Sequence, residues 1–319
     1  MTKIDTIQFS TSLDYLRDID YNHFKTNKIS KPNGLEIINH SLMSKKIGVD
    51  SISINETLNI IKVKASSKLL GSNYKKGICL STIEQFTSEI NKMGIILDQD
   101  YINDCSLKQV DIKNDLSLTK EISCYTNSMN HLIAPKFHKT LYKTGISFNE
   151  MIKATPTRLT SYDKWTELSL PKNKAFLKLH PILANHFKDI LRIESRLSKK
   201  ATILKYFKSY SLIDILNHKN LNHTIFKKIV DNQINYEPTY NTLEMTNTEE
   251  KNFAQIYLLN QQYNGDFNLI LNHIKGKLGK TTKATYQRGA IKKYLAIIKN
   301  SNNNETLENI TEILNALKQ

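Results

Sequence analysis

Apolar and polar side chains alternate with a period of two along much of the first 200 residues, and that period predicts strands. Lys3–Ser10 (KIDTIQFS) is an opening strand. Ser51–Asn55 and Asn59–Ala65, rich in Ile and Val, form a hairpin through Glu56, Thr57 and Leu58. Ser106–Asn114 (SLKQVDIKN) turns Val110 and Ile112 toward a core and Gln109, Asp111 and Lys113 the other way. Thr157–Lys164 (TRLTSYDK) is a further strand, in which Tyr162 and Lys164 share a face. In Ile190–Leu197 (ILRIESRL), Leu191, Ile193 and Ser195 share one face, and Arg192, Glu194 and Arg196 share the other. One stretch has a different period: in Thr82–Met93, Ile83, Phe86 and Ile90 recur at helical spacing, and Gly94 is a stop signal.

Beyond about residue 198 the helical period takes over. Ala201–Lys208, Leu212–His218, Thr224–Val230, Gln255–Gln262, Lys283–Lys299 and Glu305–Lys318 all carry it. The tail sets Leu307, Ile310, Ile313, Leu314 and Leu317 on one face. The pattern therefore predicts an α+β region over 1–200 and a helical region over 201–319.

Charge changes this picture most. Lys and Arg number 45 against 30 Asp and Glu, a net charge of +15, which favours polyanionic partners: nucleic acid first, an anionic membrane second. One basic focus lies in the helical half, at Lys275, Lys277, Lys280, Lys283, Arg288, Lys292 and Lys293, with Ile291, Leu295 and Ile298 as a stripe that lets the segment pack. The three cysteines, Cys79, Cys105 and Cys124, make no CxxC pair, which argues against a zinc ribbon or disulfide framework and for the reducing cytoplasm. No apolar run is long enough to span a bilayer, and the N-terminus does not read as a secretory signal.

No phosphate-binding glycine loop, GxSxG or HExxH pattern occurs, and no HxH pair. The candidate chemistry is strand-borne: Asp111 among basic neighbours, Glu194 between Arg192 and Arg196, and Tyr162 followed by Lys164 and Glu167. Asp is depleted in strand interiors, so a mid-strand Asp is informative. Taken alone, each strand also fits a solvated face with a cross-strand ion pair, and the tyrosine also fits a packing position.

The ordered set resembles the replication initiators of filamentous phages, the gene II protein family. The resemblance runs through KIDTIQF (Lys3–Phe9), IIKVKASSKLLG (Ile60–Gly71), VDIKND (Val110–Asp115), TSYDKWTEL (Thr160–Leu168) and LRIESRL (Leu191–Leu197), followed by a basic helix ending KYFKSY. It covers the N-terminal two thirds and thins out after residue 210. Lys62 stands where some members carry a carboxylate, and Gln109 replaces an Arg before the strand Asp.

The resemblance implies an antiparallel sheet with helices mainly on one face, the other face cradling DNA, as in the palm of rolling-circle initiators and relaxases. It implies a nicking endonuclease over 1–200 and a DNA-binding role for 201–319. Tyr162 is then the nucleophile that yields a 5′-phosphotyrosine and a 3′-hydroxyl primer, with Lys164 stabilising phenolate or phosphate. Asp111, Glu194 and the weaker Glu167 and Asp5 would hold Mg²⁺ or Mn²⁺. Arg192 and Arg196 would clamp phosphates. Lys280, Lys283, Lys292 and Lys293 would bind the origin duplex. Tyr125, Tyr142 and Tyr206 remain rival nucleophiles. Partners implied are double-stranded origin DNA, single-stranded DNA, and a host helicase and polymerase, with no membrane. A conjugative relaxase of the same chemistry, and a non-enzymatic DNA-binding repressor or packaging protein, are the competing readings.

Overall fold

A computed structural model describes residues 2–30, 32, 36–44, 46–132, 134, 136–234, 247–278, 288–295 and 303–319. The strands are β1 (Ile4–Ser12), β2 (Leu16–Ile19), β3 (Phe24–Ser30), β4 (Glu36–Leu42), β5 (Val49–Asn55), β6 (Ile60–Ser66), β7 (Ile95–Leu97), β8 (Ser106–Ser117), β9 (Phe137–Tyr142), β10 (Gly145–Glu150), β11 (Thr157–Asp163) and β12 (Ile190–Leu197). Ten of them form one sheet in the order β3-β4-β5-β6-β1-β8-β12-β11-β10-β9, while β2 and β7 pair separately. Every pairing is antiparallel. The β5–β6 hairpin, the helix Ile83–Asn91 and the left-handed stop at Gly94 follow the hydrophobic pattern.

The period-two alternation sorts the central strands into two unlike faces. Ile7, Phe9, Val110, Ile112, Leu191, Ile193, Leu197 and Leu159 are buried in the main core. Helices Lys200–Phe207, Leu221–Ile234 and Asn303–Lys318 all contact β8, so the sheet and helices on both sides of residue 200 share that core. Buried Asn222 pins the second of these helices in place. Its Nδ2 donates to the carbonyls of Ile112 on β8 and Ile193 on β12, both at 3.1 Å. A second, separate core joins Ile256, Leu259, Phe267, Ile270, Ile291 and Leu295. Ile291 and Leu295 thus pack as their stripe predicts; Ile298, Lys280 and Lys283 lie outside the described residues.

Several elements are absent from the alternation pattern. β3 and β4 form a ribbon in which only Phe24 and His40 are buried. In β9 the inward position after Phe137 is Lys139 rather than a hydrophobe. β11 ends at Asp163, one residue before the predicted end, because the Asp163 carboxylate accepts from the Thr166 amide at 3.1 Å and caps a helix over Lys164–Leu168. Lys164 therefore opens a helix and does not share a strand face with Tyr162.

Candidate functional site

The face of the sheet opposite the main core is polar. Register carries Thr6 to Asp111, Asp111 to Arg196 and Arg196 to Arg158 in one row. The next row runs from Lys113 to Glu194 to Thr160, and the one beyond from Asp115 to Arg192 to Tyr162. An irregularity in the β1–β8 pairing between Ile4 and Thr6 brings Asp5 to the same face, where it bonds Arg192.

One end of this face is roofed. Tyr74, Leu168, Phe176, Leu183 and Phe187 form a small apolar cluster above it. Beneath the roof Arg192 has 0% exposure. Its guanidinium donates to both carboxylate oxygens of Asp115 (2.5 and 2.8 Å), to Asp5 (2.9 Å) and to the Tyr74 hydroxyl (2.9 Å). Arg192 is thus closed off from a phosphate arriving from solvent, against the clamp the sequence implies, and acts as the internal counterion of two aspartates. Burial opposes the charge of Asp5, yet Arg192, then Lys113 and Lys164, hold its carboxyl well below the usual range. Asp115 is also held low against burial, by Arg192 first. Burial, with Arg192 beside it, brings Lys113 down to about 7.

Lys164 is buried under the same roof. Its ammonium donates to Glu167 at 2.7 Å and sits 5.2 Å from the Tyr74 ring centre and 5.7 Å from that of Tyr162. Against burial, Lys164 and its hydrogen bond hold Glu167 at about 2. Lys172 and Asn173 also engage Glu167, so this carboxylate belongs to the helix-cap region rather than to a shared site with Asp111 and Glu194.

Four of the residues singled out in the sequence, Tyr162, Glu194, Asp111 and Arg196, do come together; the rival tyrosines lie elsewhere, Tyr125 on Glu312, Tyr142 beside Ser147 and Tyr206 beside Lys228. The Tyr162 hydroxyl donates to Glu194 Oε2 at 3.0 Å across β11 and β12, and both side chains are half-buried. Burial, then the charge of Glu194, pushes the Tyr162 hydroxyl well above 10. Burial, then Asp5 and Asp111, raises Glu194 to about 7. Asp111 is fully buried and takes two hydrogen bonds from Arg196, at 2.9 and 2.5 Å; it is the cross-strand ion pair that the strand pattern also allowed. The Arg196 side chain stays 38% exposed. Tyr162, Glu194 and Arg196 therefore set a phenol, a carboxylate raised to about 7 and a partly exposed guanidinium in neighbouring positions, an arrangement suited to moving a proton beside a bound anion.

The donor set has the hard oxygen chemistry that Mg²⁺ or Mn²⁺ prefers. Its geometry does not fit a ligand set: among the described residues no group of three His, Cys, Asp or Glu could hold a metal ion. Asp111 is committed to Arg196, Asp5 to Arg192 and Glu167 to Lys164.

Two partners in this network lie outside the sequence candidates. Asp115 falls one residue past the predicted strand end, although Asp111, Lys113 and Asp115 alternate on one continuous strand. Tyr74 comes from a 3₁₀ segment distant in sequence, and no local pattern marks it. Lys292 is exposed, and Lys293 lies 5.7 Å from the Tyr294 ring centre, far along the chain from the Tyr162–Glu194 pair. No helix among the described residues is long and apolar enough to cross a membrane.

No protein-family model matches the chain, and no curated protein matches it by sequence. Among solved structures it is similar to a rolling circle replication initiator protein from Geobacillus stearothermophilus, with 8% identity and a TM-score of 0.33, over 73% of this chain and 85% of that one.

Proposed function

We propose that this chain is a replication initiator that nicks one strand of its origin DNA through Tyr162. The observation that carries the reading is the 3.0 Å hydrogen bond from Tyr162 to Glu194, a half-buried carboxylate raised to about 7 on the polar sheet face. The order of sequence segments resembling gene II initiators and the net charge of +15 support it.

Ionised Glu194 takes the phenolic proton as the Tyr162 oxygen attacks phosphorus. The bond from phosphorus to the 3′-oxygen breaks, and that oxygen leaves as a 3′-hydroxyl after taking a proton from solvent. The 5′-phosphate stays on the tyrosine, which conserves the phosphodiester bond for later rejoining without ATP. A general base titrating near the working pH is the most effective kind. Arg196, partly exposed beside the pair, is placed to meet the phosphate charge. In this proposal the N-terminal 200 residues carry the cut, and the basic helical region, Lys292 and Lys293 included, adds contacts to duplex origin.

The test is nicking of a supercoiled plasmid that carries the replicon's own origin, in Mg²⁺, in Mn²⁺ and in chelator. The expected product is an open circle with protein bound to the 5′ end. A protein that shifts the origin fragment on a gel yet leaves the plasmid supercoiled in all three conditions would be a repressor or packaging protein instead.

A further inference from the structure

Away from the roof, the polar face runs out into an uncapped end where lysines converge from three elements. Lys62 lies on β6 opposite Ser10 of β1. Lys108 lies on β8, within the pairing irregularity between the Gln8–Gln109 and Phe9–Leu107 positions. Lys200 opens the helix that follows β12. Lys62 and Lys200 both act on Lys108 and, after burial, lower its affinity for a proton. Among the described residues none of the three pairs with a carboxylate; nearby Lys64, by contrast, has Asp50 at 3.2 Å. Three cations held together without an anion are a standing repulsion that a bound anion would relieve.

An aromatic ring adjoins the cluster. Tyr210 is 46% exposed, and the Lys200 ammonium sits 5.0 Å from its ring centre. Its carbonyl accepts from the Leu107 amide at 2.9 Å, which fixes the tyrosine beside Lys108. Positive charge beside an exposed aromatic ring is the combination that grips unpaired nucleic acid, because a free base can stack while its phosphates meet the lysines. A duplex, whose bases are already stacked, has no use for the ring.

We propose that Lys62, Lys108, Lys200 and Tyr210 form a binding subsite for single-stranded DNA at the open end of the polar face. The site deepens the nicking reading and rests on it for its purpose: it would hold the strand that leads to Tyr162. Lys113, the β8 partner of Glu194, is five residues from Lys108, so the subsite begins roughly 15 Å along the strand direction from the cutting pair.

The experiment measures binding of a dye-labelled oligothymidine to the full chain across a salt series, in a Tyr162→Phe background so that cutting plays no part. With Lys62, Lys108 and Lys200 all changed to Gln, the slope of log affinity against log salt should flatten by about 2, at about 0.7 per phosphate contact on a single strand. Tyr210→Ala should weaken binding about fivefold or more with the slope unchanged. The triple variant should melt no lower than the parent, since repulsion is removed; the single Lys108→Gln and Lys200→Gln variants, each flattening the slope by about 0.7, give the same reading if it does not fold. An unaltered slope, or a Tyr210→Ala loss seen with duplex and not with oligothymidine, overturns the subsite. Failure of the nicking reading shows separately, as absence of a covalent adduct in the parent protein.

Discussion

A phenol in water loses its proton near pH 10, and burial at Tyr162 moves that point further up. The hydroxyl therefore needs a base to become a nucleophile at neutral pH, and Glu194 is the group that touches it. The nicking rate should rise with pH along an apparent pKa of about 7. Stability runs the opposite way. Glu194 is raised from 4.5 to about 7 in the folded chain, so between those values the native state binds more protons than the unfolded one, and stability falls as pH rises through that window. Glu194→Gln removes this dependence on pH. It should abolish most nicking and stabilise the protein at pH 8 by roughly 3 kcal/mol, with little change near pH 4.5. Thermal melts at the two pH values check it; equal melting shifts at both would mean that Glu194 is not raised by its surroundings. Asp111→Asn acts on the same group from one strand away. It breaks a buried ion pair and should cost about 2 kcal/mol, because Arg196 keeps some solvent. It also removes a negative neighbour of Glu194, so the rate profile of the remaining activity should move to lower pH. A loss of stability with an unmoved profile would make Asp111 a fold residue only.

At the scale of elements, the hydrophobic pattern reveals a strand when its inward positions are apolar. β6, β8 and β12 meet that condition, and their polar faces hold Lys62, Asp111, Glu194 and Arg196 at legible positions. β4 and β9 fail it because His40 and Lys139 occupy inward positions, each satisfied by a specific partner: Glu56 at 2.8 Å for His40, and the Asn130 carbonyl for Lys139. Sequence alternation has no way to see such a partner. The same limit explains the site. That Arg192 shares a face with Glu194 is readable from spacing, but its burial is set by the roof of Tyr74 and Phe187, which arrives from two other segments. The Tyr162–Glu194 contact depends on the β11–β12 register, which places Thr160 opposite Glu194 and Tyr162 one step along. The misplaced element is the end of β11, where a capping aspartate puts Lys164 at the start of a helix, so that its ammonium reaches the Tyr162 ring at 5.7 Å from the roof and not along the strand.

For the molecule as a whole, the decisive contrast lies between the two faces of one sheet. One is sealed by helices, including the C-terminal Asn303–Lys318, whose Ile310, Ile313 and Leu317 join the main core. The other carries the Arg192 ion pairs at its roofed end, the tyrosine–carboxylate pair next to them and, at its open end, lysines that have no carboxylate partner among the described residues, a local excess of positive charge that favours a polyanion there. Trapping the covalent product tests directly whether Tyr162 makes the cut. Origin oligonucleotide labelled at its 3′ end is incubated with the protein, the mixture is denatured and digested, and the labelled peptide is sequenced by mass spectrometry. The expected adduct is a 5′-phosphotyrosine on the peptide containing Tyr162, lost in Tyr162→Phe with origin binding retained. An adduct on Tyr125, Tyr142 or Tyr206, or one that persists in Tyr162→Phe, would contradict it.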